Sequence, residues 1–295
     1  MLSKDHTIKI KGGNVGVLLI HGLAGTPAEV RYVANGLGRL GYTVSCPQLA
    51  GHGSDEATLQ ASTWQDWYNT CSDALDDLRR DCDTVLVGGL STGALLGLML
   101  AARRPADVQG TLLYAPTLWL TGWSIPWYEK LFCLLYHKAF ANVFSFSDIF
   151  PHGIKDPRIR DVIMKAMCDG DTSQAGLLKT PGGAMWEHRR LVATLKPLLG
   201  QITQPALMLH PREDDLADIE NSWFLQRALR GRIEMTVLED SYHMITVDRQ
   251  RQVVLDRTTA FIECLASETA AAQAKADLQA RARASVAKRS LAVAA

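Results

Sequence analysis

The sequence contains no apolar run approaching the ~20 residues that a membrane-spanning helix needs. It has no surplus of either charge: 31 basic side chains face 31 acidic ones, which argues against nucleic acid or any strongly charged partner. Its six cysteines (Cys46, Cys71, Cys82, Cys133, Cys168, Cys264) form no C-x-x-C pair and show no histidine spacing suited to zinc. Buried free thiols in a reducing compartment are the expectation, with no metal and no cofactor. Met1-Leu2-Ser3-Lys4-Asp5-His6 has no apolar signal core, so the expected location is the cytoplasm. The glycine-rich turn near residue 90 is followed by no Gly-Lys-Ser/Thr, which removes the lysine a phosphate-cradling loop requires.

What is present is a core. At 295 residues and 47% hydrophobic content, one large globular domain accounts for the apolar material. The apolar run Thr84-Val85-Leu86-Val87 breaks into Gly88-Gly89-Leu90-Ser91-Thr92-Gly93 and then a helical pattern, which reads as strand, sharp turn, helix. Gly89-x-Ser91-x-Gly93 at that junction has the form of a nucleophile elbow, a turn so tight that only glycine fits two positions either side of the serine.

The rest of the chain repeats the same rhythm. Val15–Ile20, Tyr42–Pro47, Gly110–Pro116, Ala206–His210 and Ile233–Leu238 read as buried strands, and His6–Lys11 as an edge strand. Helical spacing is expected over 28–40, with Thr26 as cap and Pro27 in the first turn. Ser62-x-x-Gln65 resembles a capping box ahead of a helix that aligns Trp64, Trp67, Cys71, Leu75 and Leu78 on one face. Further helices are expected over 92–104, 186–199, 219–229 and 250–265. Strands alternating with helices imply an α/β fold: a mostly parallel central sheet with helices on both faces. Residues 1–116 and 183–265 form the expected core, and 117–182 an inserted aromatic-rich cap. The alanine-rich tail 266–295, with five basic and two acidic side chains, is either a solvated helix or disordered.

A serine hydroxyl needs a base, and the base needs an acid to orient it. In this strand order the sequence of partners is Ser, acid, His. Pro211-Arg212-Glu213-Asp214-Asp215-Leu216 follows one late strand, and Glu239-Asp240-Ser241-Tyr242-His243-Met244 follows the last. His243 is the candidate base and Asp214 the candidate acid, with Asp215 and Asp218 as alternatives. Leu23, in the loop His21-Gly22-Leu23, and Thr92, directly after the serine, are the candidate backbone donors to a developing oxyanion. His21, His52 and His210 read as loop-stabilising, and His6, His137, His152 and His188 as surface or cap residues.

Leu19-Ile20-His21-Gly22-Leu23-Ala24-Gly25-Thr26-Pro27, Gly51-His52-Gly53, Gly89-Leu90-Ser91-Thr92-Gly93, Arg212-Glu213-Asp214 and Ser241-Tyr242-His243-Met244-Ile245-Thr246 together resemble the α/β-hydrolase superfamily. Within it they are most similar to the small bacterial carboxylesterases and monoacylglycerol lipases. The likeness covers residues 13–265. It implies Ser91 as nucleophile, Asp214 as acid, His243 as base, and Leu23 and Thr92 as oxyanion donors. The sequence departs from the family at Thr92-Gly93-Ala94, where a bulkier apolar residue and two glycines are common, and in the length and aromaticity of the insert.

The insert carries Trp119, Trp123, Trp127 and Tyr128, which are the candidate substrate-binding residues. Most of its aromatics are expected to pack onto the sheet, and the rest to line a pocket for an uncharged ester. Clustered arginine or lysine suited to a phosphate or carboxylate is missing. The expected activity is therefore hydrolysis of hydrophobic carboxylic esters, short- to medium-chain acyl esters or monoacylglycerols, through an acyl-enzyme. The alternatives are a thioesterase or carbon–carbon hydrolase with the same triad, and a non-catalytic scaffold on the same fold.

Overall fold

The computed structural model describes residues 5–127, 137–147, 150–171 and 175–268. In chain order its elements begin with β1 (Ile8–Ile10), β2 (Val15–Ile20), α1 (Arg31–Arg39) and β3 (Thr43–Cys46), then α2 (Glu56–Ala61) and α3 (Trp64–Asp81). The centre of the chain holds β4 (Thr84–Leu90), α4 (Thr92–Arg103) and β5 (Gly110–Tyr114). A long connection follows, with α5 (Lys138–Ala141), β6 (Ser145–Ser147), α6 (Pro157–Cys168) and β7 (Lys179–Pro181). The chain then adds α7 (Gly182–Leu195), β8 (Ala206–Pro211), α8 (Glu220–Ala228), β9 (Ile233–Leu238) and α9 (251–268).

Seven strands form one sheet in the order β1-β3-β2-β4-β5-β8-β9. Only β1 runs antiparallel, against β3 at the edge; every other pairing is parallel. The mostly parallel sheet with helices on both faces is thus the architecture observed. Side chains alternate along β2 because successive residues point to opposite faces of a pleated strand. Leu18 and Ile20 join a core with Trp67 and Leu75 of α3, Leu95 and Leu98 of α4 and Leu191 of α7. Val17 and Leu19 join the opposite core with Val33 and Leu37 of α1 and Phe261 and Ile262 of α9. Each fully buried leucine contributes about 1.5–3 kcal/mol, so both helical layers are held against the sheet by the period-two pattern of its strands.

Several local expectations shift. The capping box is Thr63 with Asp66, not Ser62 with Gln65: Thr63 Oγ1 accepts from Asp66 N–H at 3.3 Å and Asp66 Oδ2 accepts from Thr63 N–H at 2.9 Å. Ser62 instead ends α2, a helix not foreseen, where its hydroxyl donates to Leu59 C=O and accepts from Trp67 Nε1–H. Thr26 caps by backbone position only, and Pro27–Val30 is a 3-10 turn ahead of α1. Cys168, at the end of α6, is exposed, unlike the buried Cys46, Cys71 and Cys82.

The connection after β5 also differs from expectation. Trp123, Trp127, Phe140, Phe144 and Phe150 are exposed instead of packed onto the sheet. Apart from α6 its described elements are three or four residues long, and α6 buries none of its residues fully, so this stretch offers little interior for large rings. Tyr128 and the tail from residue 269 lie outside the described residues. Among the described residues, no helix is long and apolar enough to cross a membrane.

Candidate active site

The carboxyl ends of parallel strands gather loops at one edge of the sheet, where open α/β sheets bind ligands. Ser91 stands directly after β4 with φ 55° and ψ −115°, a left-handed backbone that is costly for a residue with a side chain. The strain is held by close packing. A Cβ at Gly89 or at Gly93 would run into the Ile20 carbonyl oxygen, so both glycines let the turn sit against β2. Ser91 N–H also donates to Tyr114 C=O at 2.8 Å, tying the elbow to β5.

Asp214 and His243 sit in the loops after β8 and β9. Both are buried, and His243 Nδ1 lies 3.0 and 2.8 Å from the two carboxylate oxygens of Asp214. Asp214 Oδ1 also accepts from the N–H groups of Leu216 and Ala217, at 2.9 and 2.8 Å. Burial alone would raise the pKa of Asp214, but the charge and hydrogen bond of His243, with His210 and the Ala217 N–H, hold it below the usual carboxylate value. Burial likewise opposes the charged form of His243, yet Asp214 first and then Asp215 and Glu29 raise its pKa above that of a free imidazole. Asp215 plays a different part. Its Oδ1 accepts from the His243 N–H at 3.2 Å and its Oδ2 from the Gly153 N–H at 2.8 Å. Burial, reinforced by the neighbouring Asp214, raises its pKa.

A cavity of about 170 Å³ opens over the elbow. Ser91, His243, Leu23 and Thr92 all line it. The N–H of Thr92 belongs to the first residue of α4 and so has no acceptor within the helix. The Ser91 hydroxyl donates to Thr117 Oγ1 at 3.0 Å, and Thr117 Oγ1 donates in turn to Ala115 C=O at 3.0 Å. Apolar side chains, among them Leu120, Ile125, Ile163, Met167, Leu177 and Met185, make up much of the wall. Glu29 is the one carboxylate on the wall, and no lysine or arginine lines it among the described residues.

The tryptophans are elsewhere. Trp123 donates from Nε1 to Glu213 C=O at 3.2 Å and meets the Tyr242 ring edge-on, on the outer side of the acid and histidine loops. Trp119 packs edge-on against Phe224 beneath the Lys196 ammonium, and Trp127 is 74% exposed. Among the described residues of the connection, Phe146 is the aromatic side chain that reaches the cavity, beside His152.

Among the wall residues that the sequence did not single out are His188 and Glu29. His188 of α7 is buried, not a surface or cap residue; its Nδ1 lies 3.0 Å from Thr92 Oγ1. Burial lowers its pKa to about 4 despite a hydrogen bond to the Thr117 backbone, so it is neutral. Glu29 reaches back from the 3-10 turn to accept the Gly22 N–H at 2.7 Å. Neither carries a local signal: one histidine in a helix and one glutamate after a proline look like ordinary surface residues until the fold turns them inward. His21, read as pinning its loop, receives Leu49 N–H on Nε2 at 3.2 Å, which leaves Nδ1 to donate to Gly22 C=O at 2.9 Å. His210 accepts from Ser222 Oγ on Nδ1 and donates from Nε2 to Ala217 C=O, each at 2.8 Å, bracing the loop that carries Asp214. No group of three His, Cys, Asp or Glu side chains among the described residues is placed to hold a metal.

The profile of the serine aminopeptidase S33 family matches residues 14–250. The chain is 28% identical over 262 residues to a thermostable monoacylglycerol lipase of Bacillus sp. (strain H-257), covering 88% of this chain and 95% of that one. It is 24% identical over 257 residues to a carboxylesterase of Bacillus subtilis (strain 168), covering 86% and 95%. Among solved structures, a soluble variant of monoglyceride lipase from Saccharomyces cerevisiae superposes with a TM-score of 0.72 at 15% identity, covering 88% of this chain and 91% of that one, a likeness of fold.

Proposed function

The chain belongs to the serine aminopeptidase S33 family with an α/β-hydrolase fold, and from that premise we propose that it hydrolyses uncharged, hydrophobic carboxylic esters through an acyl-enzyme. One observation carries the reading: a strained serine and a histidine gripped by a buried carboxylate border the same apolar cavity. The two curated relatives, each covered over 95% of its length, are named for ester hydrolysis and favour an ester over an amide.

In this reading Ser91 Oγ adds to the ester carbonyl carbon while its proton passes to His243 Nε2. Asp214 holds the ring in the tautomer with Nδ1–H and stabilises the imidazolium that forms. The N–H groups of Leu23 and Thr92 donate to the carbonyl oxygen as it becomes negative. Collapse breaks the carbon–oxygen bond, and the alcohol leaves with the proton from His243. Water then attacks the acyl-Ser91 ester with His243 again accepting its proton, which releases the acid and restores the serine. A wall with one carboxylate and no lysine or arginine among its described residues disfavours anionic substrates, including bulky thioesters of phosphorylated carriers.

The test is labelling by a fluorophosphonate together with turnover of p-nitrophenyl esters of graded chain length. Wild type is expected to label and turn over, and Ser91→Ala to do neither while melting at the same temperature. A folded Ser91→Ala protein that still cleaved the ester would end this assignment.

A further inference from the structure

We propose that Glu29 is a positioning residue, holding the Gly22–Leu23 loop so that the Leu23 N–H faces the oxyanion. The inference rests on the esterase reading and adds a residue to it.

Gly22 joins two peptide planes, and each is held by a different group. The plane before it carries the Gly22 N–H, which donates to Glu29 Oε2 at 2.7 Å. The plane after it carries the Gly22 C=O and, on its opposite edge, the Leu23 N–H, because the peptide is planar and trans. That carbonyl accepts from His21 Nδ1–H at 2.9 Å and from the Gly25 N–H at 3.3 Å. Glycine crosses between backbone regions at little cost, so the direction of the Leu23 N–H depends on both planes being fixed. His21 and Gly25 hold one plane, and Glu29 holds the other.

The placement of Glu29 is specific. A Cβ at Gly25 would collide with the Glu29 carboxylate and meets nothing nearer, so the absence of a side chain at 25 is what lets the carboxylate reach Gly22. Gly25 lies outside the left-handed region, so the space and not the backbone angle is what requires glycine there. Glu29 also borders the cavity with Ser91, Leu23 and His243. His243 is faced by Asp214, Asp215 and Glu29, which raise its proton affinity, and by His210 across Asp214.

The experiment uses the full chain with p-nitrophenyl butyrate, comparing wild type with Glu29→Ala, Glu29→Gln, Gly25→Ala and the double variant. Glu29→Ala is expected to lower kcat about 10- to 100-fold, somewhat less than outright loss of an oxyanion donor, with KM changed less than about threefold. Glu29→Gln is expected to recover most of kcat, since the amide oxygen accepts the same N–H, and to move the acid limb of kcat/KM to lower pH. Gly25→Ala is expected to reproduce the loss by displacing the carboxylate, and to add little in the Glu29→Ala background. If Glu29→Ala does not fold, Gly25→Ala and Glu29→Gln decide the matter alone. Wild-type kcat in Gly25→Ala or Glu29→Ala overturns the proposal, as does a Glu29→Gln loss equal to that of Glu29→Ala. An inactive wild type, or an active Ser91→Ala, would instead overturn the esterase reading.

Discussion

Both carboxylate oxygens of Asp214 lie within 3.0 Å of His243 Nδ1, while Asp215, one residue later, holds the same histidine by its backbone N–H at 3.2 Å. Two adjacent acids therefore do different work on one residue. Asp214→Asn is expected to lower kcat roughly 10⁴-fold, because the amide no longer enforces the tautomer or stabilises the imidazolium. Asp215→Asn keeps one acceptor oxygen for two N–H groups, so it is expected to cost a few kcal/mol of stability at most and far less in kcat. Steady-state kinetics and urea unfolding of both variants check this, and equal kcat losses would refute the division of roles.

His243 accepts a proton only when neutral. Although burial pushes its pKa down, Asp214 and then Asp215 and Glu29 raise it above 6.5. The neutral form is therefore lost on acidification already above pH 6.5, and the acid limb of kcat/KM belongs there. The rate of fluorophosphonate labelling across pH 5–9 measures the same limb without a steady state. A limb well below pH 6 would show that burial, not Asp214, dominates this imidazole.

The elbow was legible because its signal is local: Gly89, Ser91 and Gly93 at the end of a buried strand encode one tight turn within five residues. The order of acid and histidine was legible because each follows a recognisable strand. The sequence favours Asp214 over Asp215 and Asp218 but leaves the alternatives open, since Asp214 and Asp215 occupy one loop and the packed structure is what shows which carboxylate meets the ring. The connection misled for a related reason. Aromatic content suggested a packed roof, but Trp119 and Trp123 are drawn outward by Phe224 and Tyr242, residues far away in the sequence.

Buried histidines whose pKa values burial lowers, His210 among them, set the response of the fold to acid. Burial lowers the pKa of His21 to about 3, with His52 adding to it, and lowers those of His52 and His188 to about 4. Their stabilising contribution is complete above about pH 6.5, where the unfolded chain is also neutral, and is lost as pH falls toward the folded values. Each contributes a slope of up to about 1.4 kcal/mol per pH unit in that window. His243 works in the opposite direction: its raised pKa gives stability present below 6.5 and lost at higher pH. Urea unfolding between pH 7.5 and 4.5 is expected to show a steep loss below pH 6.5, and a flat profile would refute the assignment of neutral buried rings.

Thr117 competes for the proposed nucleophile, since the Ser91 hydroxyl is bonded to its Oγ1 at 3.0 Å. A hydrogen bond of this kind is worth about 0.5–1.5 kcal/mol net. Thr117→Val is therefore expected to speed fluorophosphonate labelling by about two- to tenfold. Slower labelling in a folded variant would mean that Thr117 aligns the serine instead of detaining it.

His188 reaches the same site through Thr92. Its Nδ1 lies 3.0 Å from the Thr92 hydroxyl, so the ring holds the first residue of α4. The N–H of Thr92 is the proposed second oxyanion donor, and the ring fixes the residue that carries it. His188→Ala is expected to lower kcat by about tenfold, a fraction of the cost of losing a donor outright, with KM little changed. Because the ring stays neutral down to about pH 4, its removal leaves the acid limb of kcat/KM where His243 puts it. A second catalytic base would behave otherwise, and a shifted limb in His188→Ala would identify one. Measured kcat, KM and pH profiles of this single variant thus separate a ring that holds the donor from a ring that exchanges protons with the substrate.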